Sequence, residues 1–108
     1  MKKHLMPALA ALLALTGAQA QTVVVDSLDD LTGPTSANGK EFAAAKADVV
    51  KWINANGGIN GKKLEMNAFD YSYKAPVAIT TYKKWMSESR KPDVIYGYGT
   101  ADTEALSA

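Results

Sequence analysis

Three times in succession this chain follows a short β-branched or apolar run with a stretch of helical period, and glycine, proline or aspartate marks each junction. That alternation constrains the fold more than any other feature. Residues 22–28 open with Thr22, Val23, Val24 and Val25, a continuous run suited to a strand buried on both faces. Residues 37–55 carry Phe42, Ala45, Val49, Trp52 and Ile53 at steps of three and four, predicting a helix with that stripe buried. Thr35 or Ser36 is placed to cap it, and Asn56-Gly57-Gly58 to end it. Ile59-Asn60-Gly61-Lys62 reads as a tight turn, and 63–69 as a second strand with Leu64, Met66 and Ala68 on one face. Pro76 opens a second helix over 76–89, with Ile79, Tyr82, Trp85 and Met86 as its buried stripe. Residues 93–96 form a third strand, and Glu104-Ala105-Leu106 the first turn of a third helix.

Helix-length crossovers between strands imply an α/β fold, a parallel sheet with helices on both faces. Right-handed crossovers then bring the three strand-to-helix loops, 29–36, 70–75 and 97–103, to one edge of the sheet. Ligands of open α/β sheets bind outside the carboxyl ends of the strands, where strand order reverses. Topology therefore gathers the polar loops before any motif is considered.

The first twenty residues stand apart. Lys2, Lys3 and His4 precede an apolar run from Leu5 to Leu15, and Ala18-Gln19-Ala20 fits a small-residue cleavage site. This is the layout of a signal peptide cut after Ala20, leaving 21–108 as the mature part. The run falls well short of the roughly 20 residues needed to cross a bilayer. No cysteine follows it to carry a lipid anchor. Cleavage removes Lys2 and Lys3 from the 12 basic residues, leaving 10 against 11 acidic ones, a net charge of −1. Such a surface gives no reason to expect nucleic acid as a partner. His4 is the only histidine and leaves as well, so the mature part has neither His nor Cys. That composition argues against Ser-His-Asp and Cys-His catalysis, thiol chemistry and nearly all zinc or copper sites. No cofactor and no metal are expected.

The loops carry the remaining chemistry. Thr32, Thr35 and Ser36 offer hydroxyls in the first, although Ser36 serves equally well as a helix cap. Tyr71 and Tyr98 are placed to line a cleft with aromatic faces, while Tyr73 reads as packing. Asp70 reads as structural, accepting from loop amides. Asp29-Asp30 reads as a solvated acidic pair and not a calcium loop. Gly97-Tyr98-Gly99 fails as a dinucleotide fingerprint, because Asp102 stands where the third glycine belongs and the loop follows the third strand.

Several segments together resemble a known family. They are Leu31-Thr32-Gly33-Pro34-Thr35-Ser36 with Gly39, Ile53-Asn54-Ala55-Asn56-Gly57-Gly58-Ile59-Asn60-Gly61-Lys62-Lys63-Leu64, Asp70-Tyr71, and Gly97 through Leu106. In this order they resemble the start of extracytoplasmic solute-binding proteins of branched-chain amino acid-type (leucine-binding-like) ABC transporters. The resemblance covers essentially the whole mature chain. It implies a periplasmic, non-enzymatic protein with the type I periplasmic-binding-protein fold, of which this chain is the first part of the N-terminal lobe. Members are longer, with two lobes that close on a ligand, so the third strand's outer edge is expected to lie unpaired.

The resemblance also implies a site. The family holds carboxylate-bearing ligands through hydroxyls and backbone N–H groups of this lobe, and Thr100, Asp102 and Thr103 match the loop that meets them. Helix capping is the alternative for all three; an ionised Asp102 caps the third helix or accepts from a ligand ammonium. The ligand-binding set is thus Thr35, Ser36, Tyr71, Tyr98, Thr100, Asp102 and Thr103. The implied partners are a small-molecule ligand, an amino acid or other small organic acid, and the membrane permease of an ABC transporter. A ligand-sensing module of the same fold is the alternative. This chain alone is expected to bind weakly or not at all, because half of the cleft belongs to the second lobe.

Overall fold

The computed structural model describes residues 21–108; the expected leader and its cleavage site, residues 1–20, lie outside them. Six elements alternate along the chain: β1 (Val23–Asp29), α1 (Ser36–Ala55), β2 (Leu64–Asp70), α2 (Ala75–Ser87), β3 (Val94–Tyr96) and α3 (Thr100–Ser107). The strands form one parallel sheet in the order β2-β1-β3. Val23 through Asp29 pair in register with Leu64 through Asp70, and Val25 to Ser27 with Val94 to Tyr96. The chain therefore leaves β1 toward one side and returns across it to the other. The reversal point lies between β1 and β3, where an open sheet of this kind leaves a crevice.

Alternation along β1 separates the two faces. Ser27 and Asp29 bond to Lys46 of α1, while Leu28 joins Tyr71, Ala78 and Trp85 in the core beneath α2. Helices thus cover both faces, α1 on one and α2 with α3 on the other. The central strand is buried along nearly its whole length, as its continuous apolar start predicts. The edge residues Val94 and Tyr96 of β3 are exposed.

Local chemistry fixes the turns. Asn60 and Gly61 both take positive φ, 51° and 78°, and Ile59 and Lys62 exchange backbone hydrogen bonds around them. This is the Asn-Gly hairpin turn that needs two left-handed residues. Asn54 then ties the end of α1 to the start of β2, donating to Leu64 O and accepting from Leu64 N, each at 2.8 Å.

Two helix faces differ from the sequence expectation. Phe42, Ala45, Val49 and Trp52 lie on the solvent side of α1, and the helix instead rests on Gly39, Ala43, Lys46, Val50 and Ile53. Gly39 permits this seating, because a Cβ there would stand 1.8 Å from Asp30 O. In α2 the buried stripe is Ala78, Thr81 and Trp85, with Tyr82 turned outward. The third helix begins at Thr100 and not at Glu104, since the capping interactions of Asp102 draw the intervening residues into its first turn.

Candidate functional site

Three carboxylates organise the loops at the carboxyl ends of the strands. Asp30 follows β1 and is fully buried. It accepts from Gly33 N at 2.5 Å, Thr35 N at 2.8 Å and Thr35 Oγ1 at 2.6 Å, closing the first loop on itself. Burial works to raise its pKa, and the hydrogen bonds from Thr35 and Gly33 outweigh it, holding the carboxyl below the usual range. The expectation of a solvated Asp29-Asp30 pair is therefore corrected: both are fully buried, Asp29 facing Lys46 and Asp30 facing its own loop amides. The missed signal is local. An aspartate at the head of a short loop can fold that loop back on its carboxylate, here through the amides three and five residues on.

Asp70 ends β2 and joins the first loop to the second. It accepts from Leu31 N at 2.9 Å, Thr32 Oγ1 at 2.6 Å and Ser72 N at 3.0 Å. Burial again opposes ionisation, and the Thr32, Leu31 and Ser72 donors prevail, so its pKa is lowered too. Thr32 Oγ1 and Ser72 Oγ lie 2.8 Å apart. The two loops meet so closely that a Cβ on Gly33 would stand 2.4 Å from Ser72 O.

Asp102 governs the third loop. Oδ1 accepts from the Tyr71 hydroxyl at 2.5 Å and Gly99 N at 2.8 Å, and Oδ2 accepts from Tyr98 N at 2.8 Å. It sits at the third position of α3 and bonds back to the Gly99 amide that caps the helix, one half of a capping box. Burial raises the Tyr71 pKa above its ordinary value, and the bond to Asp102 raises it further.

Aromatic rings fill the space between the loops. Tyr98 stands edge-on to Tyr73 (6.1 Å, 89°), Tyr71 (6.4 Å) and Phe42 (6.2 Å), and its hydroxyl donates to Thr35 O at 3.2 Å. Ser72 and Tyr73 are consecutive non-glycine residues at positive φ, 53° and 57°, which swings the Tyr73 ring against Gly99. Tyr73 packs against the core cluster, in the packing position read from the sequence.

The seven candidate residues thus divide. Thr35, Ser36, Tyr98 and Thr100 lie at or beside the rim between the first and third loops, with Thr100 exposed at the start of α3. Thr35 is the residue before α1, yet its hydroxyl donates to Asp30, and neither it nor Ser36 makes a side-chain cap on that helix. Tyr71 and Asp102 are fully buried and serve as struts, so neither offers a surface to a ligand. Thr103 lines a hollow of about 270 Å³ on the flank, with Tyr82, Ile95 and Leu106. Thr32, Ser72 and Tyr73 complete the rim from the second loop's side.

This arrangement brings hydroxyls, the start of α3 and two half-buried rings together at the carboxyl ends of the strands, groups whose chemistry is hydrogen bonding and ring contact and not covalent reaction. Known proteins agree in fold. A fatty acid ABC transporter substrate-binding protein from Thermomonospora curvata superposes with a TM-score of 0.72 at 23% identity, covering 81% of this chain and 22% of its own. A substrate-binding periplasmic protein from Ralstonia solanacearum gives a TM-score of 0.67 at 28% identity, covering 81% and 24%. A type 1 periplasmic binding protein from Bordetella pertussis Tohama I gives 0.66 at 27%, covering 80% and 23%. The chain therefore spans about a quarter of the length of these proteins. No protein of curated function matches it. Residues 22–108 match the periplasmic binding protein family. With that match over the whole described sheet and the same fold in these binding proteins, the chain belongs to the periplasmic binding proteins of type I, the branched-chain amino acid-binding type.

Proposed function

We propose that this chain provides part of the ligand-binding lobe of an extracytoplasmic solute-binding protein that captures an amino acid or other small organic acid for an ABC permease. The observation that carries the reading is the convergence of the first and third loops at the strand-order reversal, where Tyr98 OH reaches Thr35 O at 3.2 Å. The exposed Thr100 hydroxyl at the start of α3 suits a carboxylate, which also gains there from the helix dipole. Tyr73 and Tyr98 suit the remainder of the ligand with ring faces and edges. Two relatives are described as substrate-binding proteins, one of them for fatty acids in an ABC transporter, which supports a transport role for the family fold. The leader Met1–Ala20 fits export to the periplasm with cleavage after Ala20.

The mechanism in this reading is reversible capture. A ligand held by this lobe offers its other side to a second lobe, and those added contacts favour a closed form that the permease recognises. Thermal-shift screening of amino acids, aromatic acids and fatty acids tests it, on the chain and on any longer product of the same gene. Saturable stabilisation by one such acid, with the acid recovered unchanged, is the expected result. Failure of every acid to stabilise the longest product, or chemical conversion of the acid, would overturn it.

A further inference from the structure

Asparagine precedes glycine at 38–39, 56–57 and 60–61, and the fold treats the three pairs differently. Such pairs are prone to lose the asparagine amide, because glycine leaves its own nitrogen sterically free to attack the side chain before it. We propose that Asn60 is a site of spontaneous succinimide formation, and that hydrogen bonds protect the other two pairs.

The reaction needs only water and hydroxide. Base removes the Gly61 amide proton, and the nitrogen attacks Asn60 Cγ. The new N–Cγ bond forms, the Cγ–Nδ2 bond breaks, and ammonia departs, leaving a cyclic imide. Water then adds to either imide carbonyl. Breaking the new N–Cγ bond gives aspartate, whereas breaking the original peptide bond gives isoaspartate, with the main chain routed through Cβ. Nothing is oxidised or reduced.

Two of the pairs are held back. Gly39 N donates to Thr35 O at 3.0 Å, and Gly39 is buried in α1 against Asp30. That nitrogen is occupied, and α1 must unwind before it can turn toward the Asn38 side chain. At the other end of α1, Asn56 Nδ2 donates to Trp52 O at 2.8 Å, and Asn56 N is bonded to the carbonyls of Trp52 and Ile53. Gly58 N closes on Ile53 O at 2.8 Å. The Asn56 carboxamide is thus drawn back along the helix, away from Gly57 N.

Asn60 has neither restraint. It and Gly61 are exposed, and among the described residues neither the Asn60 carboxamide nor Gly61 N makes a hydrogen bond. The space is open as well, since a Cβ on Gly61 would meet nothing within 4 Å. Attack requires the peptide between them to rotate. The bonds that Ile59 and Lys62 exchange, 2.8 and 2.9 Å, hold that peptide in its turn. Exposed turns of this kind open more readily than helices.

The product damages the turn that makes it. Isoaspartate adds a main-chain carbon where the turn takes two left-handed residues, so the Ile59 and Lys62 bonds cannot both re-form. Asn54 still ties α1 to Leu64, which confines the change to the turn.

The test ages the full 108-residue chain in mildly alkaline buffer, folded and in guanidinium chloride, and maps amide loss by mass spectrometry. Fragmentation of the Trp52–Lys62 tryptic peptide separates positions 56 and 60. Each folded rate is read against that of the same pair in the unfolded chain. On that scale Asn60 should convert at least about tenfold faster than Asn38 or Asn56, the factor that two or more additional broken hydrogen bonds impose. Isoaspartyl methyltransferase should label the aged chain at 60, and the Ile59 and Lys62 amides should lose protection from hydrogen exchange. Asn60→Gly keeps a dipeptide that this turn accepts, and should abolish the label. Conversion at 60 no faster than at 38 and 56, or a label that persists in Asn60→Gly, would overturn the proposal. The turn lies at the amino end of β2, away from the loops at the carboxyl ends, so no outcome bears on ligand binding.

Discussion

The Tyr71 hydroxyl donates to Asp102 Oδ1 across 2.5 Å at a position where neither residue has any exposed surface. The bond joins the end of β2 to the first turn of α3, and it sets the third loop against the second. Replacing Tyr71 by phenylalanine keeps the ring and removes one of the three donors to Asp102. The expected loss is about 1–3 kcal/mol, the usual penalty for a buried polar group deprived of a partner. Asp102→Ala should lose more, because the Tyr71 hydroxyl and the amides of Tyr98 and Gly99 lose their acceptor together. Urea unfolding of the three proteins measures both.

Acid should weaken the fold through Asp30 and Asp70. Both have folded pKa values below the ordinary aspartate value, so as pH falls the unfolded chain takes up protons first. Their contribution is fully present above about pH 4 and disappears as pH falls through the folded values. Urea midpoints should fall steeply below about pH 4, and Asp30→Asn/Asp70→Asn should flatten that fall while lowering stability at pH 7.

The alkaline side runs the other way. Tyr71 is raised above its ordinary value of 10.0 by burial and by the Asp102 carboxylate. A group raised on folding stabilises below its unfolded pKa and loses that contribution as pH rises toward the folded one. Stability should therefore decline above about pH 10, and the decline should be smaller in Tyr71→Phe.

Gly39→Ala tests the seating of α1. The added methyl would stand 1.8 Å from Asp30 O, a backbone atom held by its own loop, so the helix must lift. A loss of at least about 2 kcal/mol is expected, at the upper part of the range for overpacking. Thermal unfolding measures it. Ala44 and Ala45 already carry Cβ atoms on the same helix, so the expected loss is specific to the approach of position 39 to Asp30.

Lys46 and Asp29 form an ion pair beneath α1, with Asp29 fully buried and Lys46 also reaching Ser27 Oγ and lying 4.8 Å from the Tyr96 ring centroid. Lys46→Met leaves a buried carboxylate without its cation, which costs about 3–5 kcal/mol. Lys46→Met/Asp29→Leu should recover most of that loss, since neither charge then remains to be desolvated. Unfolding midpoints of the single and double variants decide it.

The strands, their order along the chain and the turns are legible in the residues themselves. A valine run, an Asn-Gly pair or a proline at a helix start acts on its own backbone, and no distant partner is needed to make the choice. The parallel sheet follows from crossover length, and the gathering of the loops at one edge follows from handedness. Strand boundaries shift by one residue only: β1 covers 23–29 where 22–28 is expected, and β2 covers 64–70 where 63–69 is expected.

What the tertiary structure alone decides is which groups face inward. Helix α1 has two sides able to meet a sheet, one made of Phe42, Val49 and Trp52 and one made of Gly39, Ala43, Lys46 and Val50. Periodicity favours the more apolar side. The chain buries the other, because Asp29 requires the Lys46 ammonium and only glycine at 39 lets the helix approach Asp30. Likewise Tyr71 and Asp102 read as groups for a ligand and prove to be partners of each other. Residue type fixes the hydrogen bonds and charges a side chain needs, whereas residues 31 positions apart become partners only when the sheet brings their elements together.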